Sequence, residues 1–210
     1  MFYNKAIWQN CFPFKKKYFW KNFKNIPTYI KRIHHLIKNG YDDYAVWDTY
    51  SWFTTTMRDI LKRYNENRMG TPIIIDDYPF DDDSSEESDK MRELNNKKWN
   101  EIVERMIFLL GEMDEFTCTR KNPYEDEWWK AEMEFDSKYG MFGQGLMTDT
   151  EKEMLKDKGL YTMHTMGELP EYEEISKKHI NAENDLEQYR SDCKDEFLEL
   201  FSKYFYCLWD

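Results

Sequence analysis

The stretch that determines the fold class is residues 43–67, which read DYAVWDTYSWFTTTMRDILKRYNEN. Apolar side chains recur there at steps of three and four residues, the spacing that places them on one face of an α-helix. The members of this stripe are Val46, Tyr50, Phe53, Met57, Ile60, Leu61 and Tyr64. Asp42 or Asp43 is the expected N-cap, and the helix is expected to stop before Gly70.

Three further segments show the same periodicity and predict helices near 28–38, 97–115 and 171–208. The last of them is a helix of about 57 Å at a rise of 1.5 Å per residue. The β-branched run 73–75 is short, and it predicts either an edge strand or an extended plug. We therefore predict a mainly α fold, a helical bundle with a long C-terminal helix and little or no β-sheet.

The composition is that of one globular domain spanning residues 1–210. Aromatic residues make up 18% of the chain, so few but large side chains are expected to build the core. No stretch approaches the roughly 20 apolar residues that a membrane span needs. The four cysteines lack metal-ligand spacing and no secretory signal pattern is present, which together predict a cytoplasmic protein or one packaged into a particle.

The net charge of −11 is distributed unevenly along the chain. Residues 1–41 contain nine Lys or Arg and no Asp or Glu, and residues 1–26 form a basic, aromatic N-terminal arm. Such asymmetry is typical of an arm that binds an external anion, or of an internal clamp onto an acidic body. Both interpretations remain open from the sequence.

An acidic run, DDDSSEESD at residues 81–89, interrupts the helical pattern. A segment of this composition does not bury apolar surface, so residues 79–91 are predicted to form a mobile acidic loop. The loop is interpreted as a solvated insertion, with imitation of nucleic-acid phosphates as the alternative.

Catalytic and metal-binding patterns are weak in this sequence. His179 and Glu183 have the i, i+4 spacing that can hold a divalent cation, but His179 also lies on an apolar stripe and is interpreted as a core histidine. The glycines at 140–145 lack the context of a phosphate-binding loop, and no nucleophile motif is present. We therefore predict no catalytic residues, no metal, no cofactor and no enzymatic activity.

A ligand-binding surface is predicted beside the stripe of residues 43–67. At about 100° per residue, Trp52 falls roughly 120° from the stripe and Arg63 lies along the same line. A tryptophan near an arginine suits stacking on a base and pairing with a phosphate, although a second helix covering this face is the alternative. The candidate ligand-binding residues are Arg32, His35, Tyr41, Trp47, Trp52, Arg58 and Arg63.

Residues 40–48, GYDDYAVWD, resemble a segment of a loose group of uncharacterised tailed-bacteriophage proteins, in which Gly-aromatic-Ser-Asp-x-Asp-x-Trp opens a long helix. Residues 99–107, WNEIVERMI, resemble the second helix of that group, and the likeness covers about 80 residues. Asp42 stands where the group has Ser, and Ala45 replaces its second Asp. The resemblance implies a viral origin, and therefore the host cytoplasm or the virion as the location.

These observations together predict a non-enzymatic phage accessory protein with a counter-defence role. Its expected ligand is a phosphate-bearing host molecule, such as a nucleotide immune signal, which it binds and sequesters. The expected partners are a nucleotide-like small molecule or a host protein, and also a second copy of the chain through helix 171–208, with no membrane. A virion structural or assembly component, and an inhibitor of a host nucleic-acid enzyme by acidic mimicry, are the alternatives.

Overall fold

The computed structural model describes residues 26–41, 43–76, 78 and 85–208. The described residues contain α-helices and short 3-10 turns and no β-strand. The α-helices are α1 Ile26–Asn39, α2 Asp43–Trp47, α3 Thr49–Asn67, α4 Glu86–Glu112, α5 Glu125–Tyr139, α6 Asp149–Lys158 and α7 Pro170–Tyr204. The 3-10 turns are Met141–Leu146, Met166–Glu168 and Phe205–Cys207. The prediction of a mainly α fold with a long C-terminal helix and no sheet is therefore confirmed for this part of the chain.

The chain divides into two compact units, one formed by residues 1–118 and 192–210 and the other by residues 119–191. The basic arm, apart from Ile26, lies outside the described residues, so both interpretations of the arm remain predictions.

The core of the first unit is built on one face of α4. Trp99, Val103, Met106 and Leu110 are fully buried, as the periodicity of this segment predicts. Trp99 packs edge-on against Tyr204, with ring centroids 5.7 Å apart. Trp99 and Phe197 therefore contribute large aromatic side chains to a core that also contains aliphatic, Met and Cys side chains.

The segment 43–67 is not one continuous helix, because it breaks at Asp48. This residue has φ −132° and ψ 66°, and its side chain accepts a hydrogen bond from the backbone N–H of Ser51 at 3.1 Å. Asp48 is therefore the N-cap of α3, and the single helix predicted across this point is wrong. The reason is local, since an aspartate competes well for unpaired N–H groups at a helix start.

The part of the predicted stripe that lies on α3 is only partly buried. Leu61 of the stripe is almost fully buried, as is Thr54, which is not a stripe member. The stripe members Tyr50 and Ile60 are exposed. Thr54 is accommodated in the interior because its hydroxyl donates to the Asp114 carboxylate at 3.3 Å. A buried polar residue with a partner thus replaces part of the expected apolar face.

Helix α4 starts earlier than predicted, and residues 86–91 are helical rather than part of a loop. Ser85 caps the helix by accepting a hydrogen bond from the backbone N–H of Ser88 at 3.3 Å. Glu86, Glu87 and Asp89 occupy the first turn, where negative charge is stabilised by the helix dipole. The acidic run is therefore partly a helix start, and residues 79–84 of the predicted loop lie outside the described residues.

The run that follows α3 has no regular secondary structure at residues 71–74, and one amide side chain holds it. Asn95, which is 1% exposed, accepts from the backbone N–H of Ile74 at 2.9 Å and donates to the carbonyl of Pro72 at 3.0 Å. Residues 73–75 do not form a strand, and Ile73 is 45% exposed, so the extended plug stays a prediction.

The second unit has its own small core, formed by Phe135 of α5, Met166 and Tyr172 of α7. The predicted stripe of the C-terminal helix is buried or half-buried at every position. Its members are Ile175, His179, Ala182, Leu186, Tyr189, Cys193, Phe197, Leu200, Tyr204 and Leu208. The helical period was therefore a correct guide to the inward face of α7.

Candidate functional site

The predicted ligand-binding residues belong to the first unit, and the structure brings two of them together. His35 Nδ1 lies 3.1 Å from the carbonyl oxygen of Tyr41, and the two rings meet edge-on at 5.3 Å. Arg32 is half-buried on α1, and Trp47 at the end of α2 is 90% exposed. The ligand role of these four residues stays a prediction.

The other three predicted residues lie on α3. Trp52 is half-buried and Arg63 is exposed. The guanidinium of Arg58 donates to the Thr117 hydroxyl at 3.0 Å and lies against Gly111, where an added Cβ would come within 3.1 Å of Nη1. Arg58 therefore packs against the C-terminal end of α4. The ligand role of Arg58, Trp52 and Arg63 remains a prediction.

A cleft of about 590 Å³ lies in the second unit, between the segment that leads into α5 and one face of α7. Its volume is within the usual range for a small-molecule site. The lining residues are Arg120, Lys121, Pro123, Tyr124, Lys178, Asn181, Ala182, Asp185 and Leu186. Three cations and one anion thus line a cleft in a unit that contains seventeen Asp or Glu and ten Lys or Arg.

Two of the cleft cations are held in place by neighbouring groups. The guanidinium carbon of Arg120 sits 3.5 Å from the centroid of the Tyr189 ring, and a guanidinium stacked in this way can still donate through its edge. Lys178 pairs with Glu174 at 2.6 Å, and the hydrogen bond to this carboxylate raises the pKa of Lys178. Lys178 therefore stays protonated throughout the neutral range.

A second cluster is built from the same two segments as the cleft. Glu125, His179 and Glu183 each offer one ligand atom, and these atoms all lie within 4.8 Å of one another. Glu125 is the first residue of α5, while His179 and Glu183 are one turn apart on α7. The hydrogen bond from His179 Nε2 to Glu125 Oε2 is 2.9 Å long.

Neighbouring side chains orient each member of this cluster. Trp129 donates through Nε1 to Glu125 at 2.7 Å, and the ring of Trp128 stacks on His179 with centroids 4.6 Å apart. Asn122 donates to Glu183 at 2.8 Å. The hydrogen bond with His179 and then that from Trp129 lower the pKa of Glu125, so this carboxylate is ionised at neutral pH.

The remaining histidine of this unit joins two helix starts. His164 Nδ1 lies 2.8 Å from Glu168, and Nε2 lies 3.4 Å from Glu151. Both glutamates belong to capping boxes, with Thr165 and Thr148 respectively. The hydrogen bond with Glu168 raises the pKa of His164 most, burial lowers it by a smaller amount, and Glu151 raises it again, so the net shift is upward and the imidazole is a structural cation at mildly acidic pH.

The spacing of His179 and Glu183 is visible in the sequence, whereas the approach of Glu125 and the cleft are not. Glu125 lies 54 positions before His179, and only folding brings the two together. The available pattern was Pro123 followed by a run of acidic residues at 125–127, which is typical of a helix start. That pattern predicts where α5 begins, but not which part of α7 it faces.

Comparison with known proteins identifies no relative of this chain. No family model matches the chain, and neither a curated protein nor a solved structure matches it. Among the described residues, none of the helices has the length and apolarity that crossing a bilayer would require.

Proposed function

We propose that this chain is a non-enzymatic binding protein for a small phosphate-bearing molecule, and that the cleft of the second unit is its binding site. The observation that carries the proposal is the gathering of Arg120, Lys121 and Lys178 around one cleft. In a unit with an acidic excess, these cations make the cleft a local site for an anion.

The cleft residues divide the recognition of such a ligand between them. The Arg120 edge suits two phosphate oxygens at once, and the Lys178 ammonium adds a point charge. Tyr124, which is half-buried in the cleft lining, offers a ring on which a base can stack. A nucleotide with one or two phosphates matches this combination of charge, ring and volume.

The biological version of the proposal is sequestration of a host nucleotide signal by a phage counter-defence protein. Its support is the resemblance of residues 40–48 and 99–107 to the tailed-phage group, together with the phosphate-directed chemistry of the cleft. Sequestration requires tight binding without turnover, and a preformed cleft with fixed cations supplies binding energy without a reacting group.

Isothermal titration calorimetry of the full chain against ADP-ribose, a cyclic dinucleotide, ATP and pyrophosphate tests the proposal. We expect at least one of the nucleotides to bind with a Kd below about 100 μM, weakening as salt is added. Absence of binding by all four at millimolar concentration would refute it.

Adjacent lysines provide a matched pair of variants for the same titration. Lys177 and Lys178 each pair with a glutamate one turn earlier on α7, but only Lys178 lines the cleft. Lys178→Gln is expected to weaken nucleotide binding about fivefold, or about 1 kcal/mol for a half-exposed charged contact. Lys177→Gln should retain the wild-type affinity, and an equal loss in both variants would mean that the cleft is not the site.

A specific observation also supports an assembly role as the second candidate. Trp47 is 90% exposed, and Val46 and Ile37 are 66% and 75% exposed. Exposed apolar side chains in the same unit favour a protein partner. This candidate predicts that the chain is present in purified phage particles and that Trp47→Ser reduces its incorporation.

A further inference from the structure

We infer that Glu125, His179 and Glu183 form a binding site for a divalent transition-metal ion, with Zn²⁺ or Mn²⁺ as the matching class. The inference goes beyond phosphate binding, and it rests on the geometry of these three side chains. Their ligand atoms lie within 4.8 Å of one another. An ion with tetrahedral bonds of about 2.0–2.2 Å holds its ligand atoms about 3.3–3.6 Å apart, so side-chain movements of about 1 Å complete the site.

The kinds of ligand restrict the kind of ion. Two carboxylates and one imidazole form a mixed oxygen and nitrogen set, which suits Zn²⁺ or Mn²⁺. Mg²⁺ and Ca²⁺ prefer sites made of oxygen ligands alone. Three protein ligands also leave at least one coordination position for water or another ligand.

The neighbours of the three ligands act as an outer shell that limits their movement. The Asn122 amide fixes Glu183 at 2.8 Å, the Trp129 indole fixes Glu125 at 2.7 Å, and the Trp128 ring covers one face of His179. Hydrogen bonds and packing of this kind orient metal ligands and strengthen binding.

The site is also accessible to an ion from solvent. The Glu125 side chain is 49% exposed, while that of His179 is 14% exposed. An ion can therefore approach from the Glu125 side and take the place of the hydrogen between His179 Nε2 and Glu125 Oε2, which passes to solvent while the imidazole binds as the Nδ1–H tautomer. The same step offsets the repulsion between the Glu125 and Glu183 carboxylates.

Calorimetric titration of the chelator-treated full chain with ZnCl₂ and with MnCl₂ tests the inference. We expect one saturable site, and Zn²⁺ is expected to bind with a Kd below about 10 μM. MgCl₂ should give at least a 100-fold weaker response than ZnCl₂. Because the probe is the metal alone, its failure would leave the nucleotide titration, and with it the proposed function, untouched.

Matched variants assign the ion to this cluster. Glu183→Gln keeps a side-chain oxygen for the Asn122 amide but removes the charge, and His179→Gln removes the imidazole. Each is expected to weaken Zn²⁺ binding at least tenfold at unchanged far-UV circular dichroism. His164→Gln, which removes a histidine flanked by two other glutamates in the same unit, should retain the wild-type affinity.

Three results would overturn the inference. They are the absence of a saturable Zn²⁺ site in the wild-type chain, a loss in His164→Gln equal to that in His179→Gln, and unchanged Zn²⁺ affinity in Glu183→Gln. If a variant loses helicity, the His179 ring resonances of the wild-type chain decide the question, because they must shift on addition of one equivalent of Zn²⁺.

Discussion

Replacing Asn122 by alanine is expected to destabilise the second unit more than any exposed polar substitution on α7. Asn122 is 9% exposed and makes three hydrogen bonds. Its amide donates to Glu183 at 2.8 Å and to the His179 carbonyl at 3.1 Å, and its oxygen accepts from the Tyr124 backbone N–H at 2.9 Å. One side chain thus ties the start of α5 to the middle of α7.

The three hydrogen bonds set the size of the effect. At about 0.5–1.5 kcal/mol each, with the bond to the Glu183 carboxylate at the upper end, Asn122→Ala should lower the free energy of unfolding by about 2–4 kcal/mol. That corresponds to a fall in Tm of roughly 5–12 °C for a chain of this size. Differential scanning calorimetry at neutral pH measures it directly.

Asn184→Ala is the control, because Asn184 is an exposed residue of α7. It is expected to change the free energy of unfolding by less than about 0.5 kcal/mol. If Asn122→Ala and Asn184→Ala have equal Tm values, the hydrogen bonds of Asn122 do not stabilise the unit and the reasoning is wrong.

Two further predictions concern other positions of the second unit. Gly143 and Gly159 both have φ +64°. An added Cβ at Gly143 would lie 2.7 Å from His164 Cβ, whereas an added Cβ at Gly159 would have no atom within 4 Å. Gly143→Ala should therefore lower the free energy of unfolding by about 2 kcal/mol more than Gly159→Ala, as measured by chemical denaturation. The raised pKa of His164 means that its contribution to stability is fully present below pH about 6.5 and is lost as the pH rises through the folded-state pKa. The lowered pKa values of Glu151 and Glu168 make the same contribution disappear at the acidic end, below about 4.5. The Tm difference between the wild type and His164→Gln should accordingly be largest between pH 5 and 6, and a difference that is constant from pH 4 to 8 would contradict the assignment.

The long periodic segments were predictable because their burial pattern follows directly from the helical repeat. The apolar positions of α4 and α7 fall on one face for many turns, so a small error in phase does not change which residues point inward. In α3 a single capping residue, Asp48, breaks the helix, and a buried threonine takes a core position. The periodicity of apolar residues does not predict a buried polar residue such as Thr54, because its burial depends on a hydrogen-bond partner far along the chain, here Asp114.

The acidic run and the candidate sites show a second limit of the sequence. Ser85 followed by acidic residues is a recognisable helix start, but its composition also fits a loop, and the cap decides between the two. The cleft and the Glu125–His179 contact depend on how the segment at 120–125 meets α7. No local sequence pattern predicts this contact, because Glu125 and His179 are more than 50 positions apart along the chain.

The central claim, that the cleft of the second unit binds a phosphate-bearing molecule, is tested most directly by NMR mapping of ADP-ribose on the full chain. We expect ADP-ribose to cause the largest chemical-shift changes at Arg120, Tyr124 and Lys178. Pyrophosphate should shift the resonances of Arg120 and Lys178 but not those of the Tyr124 ring. Shifts confined to Trp52 and Arg63 in the first unit, or none at millimolar ligand, would contradict it.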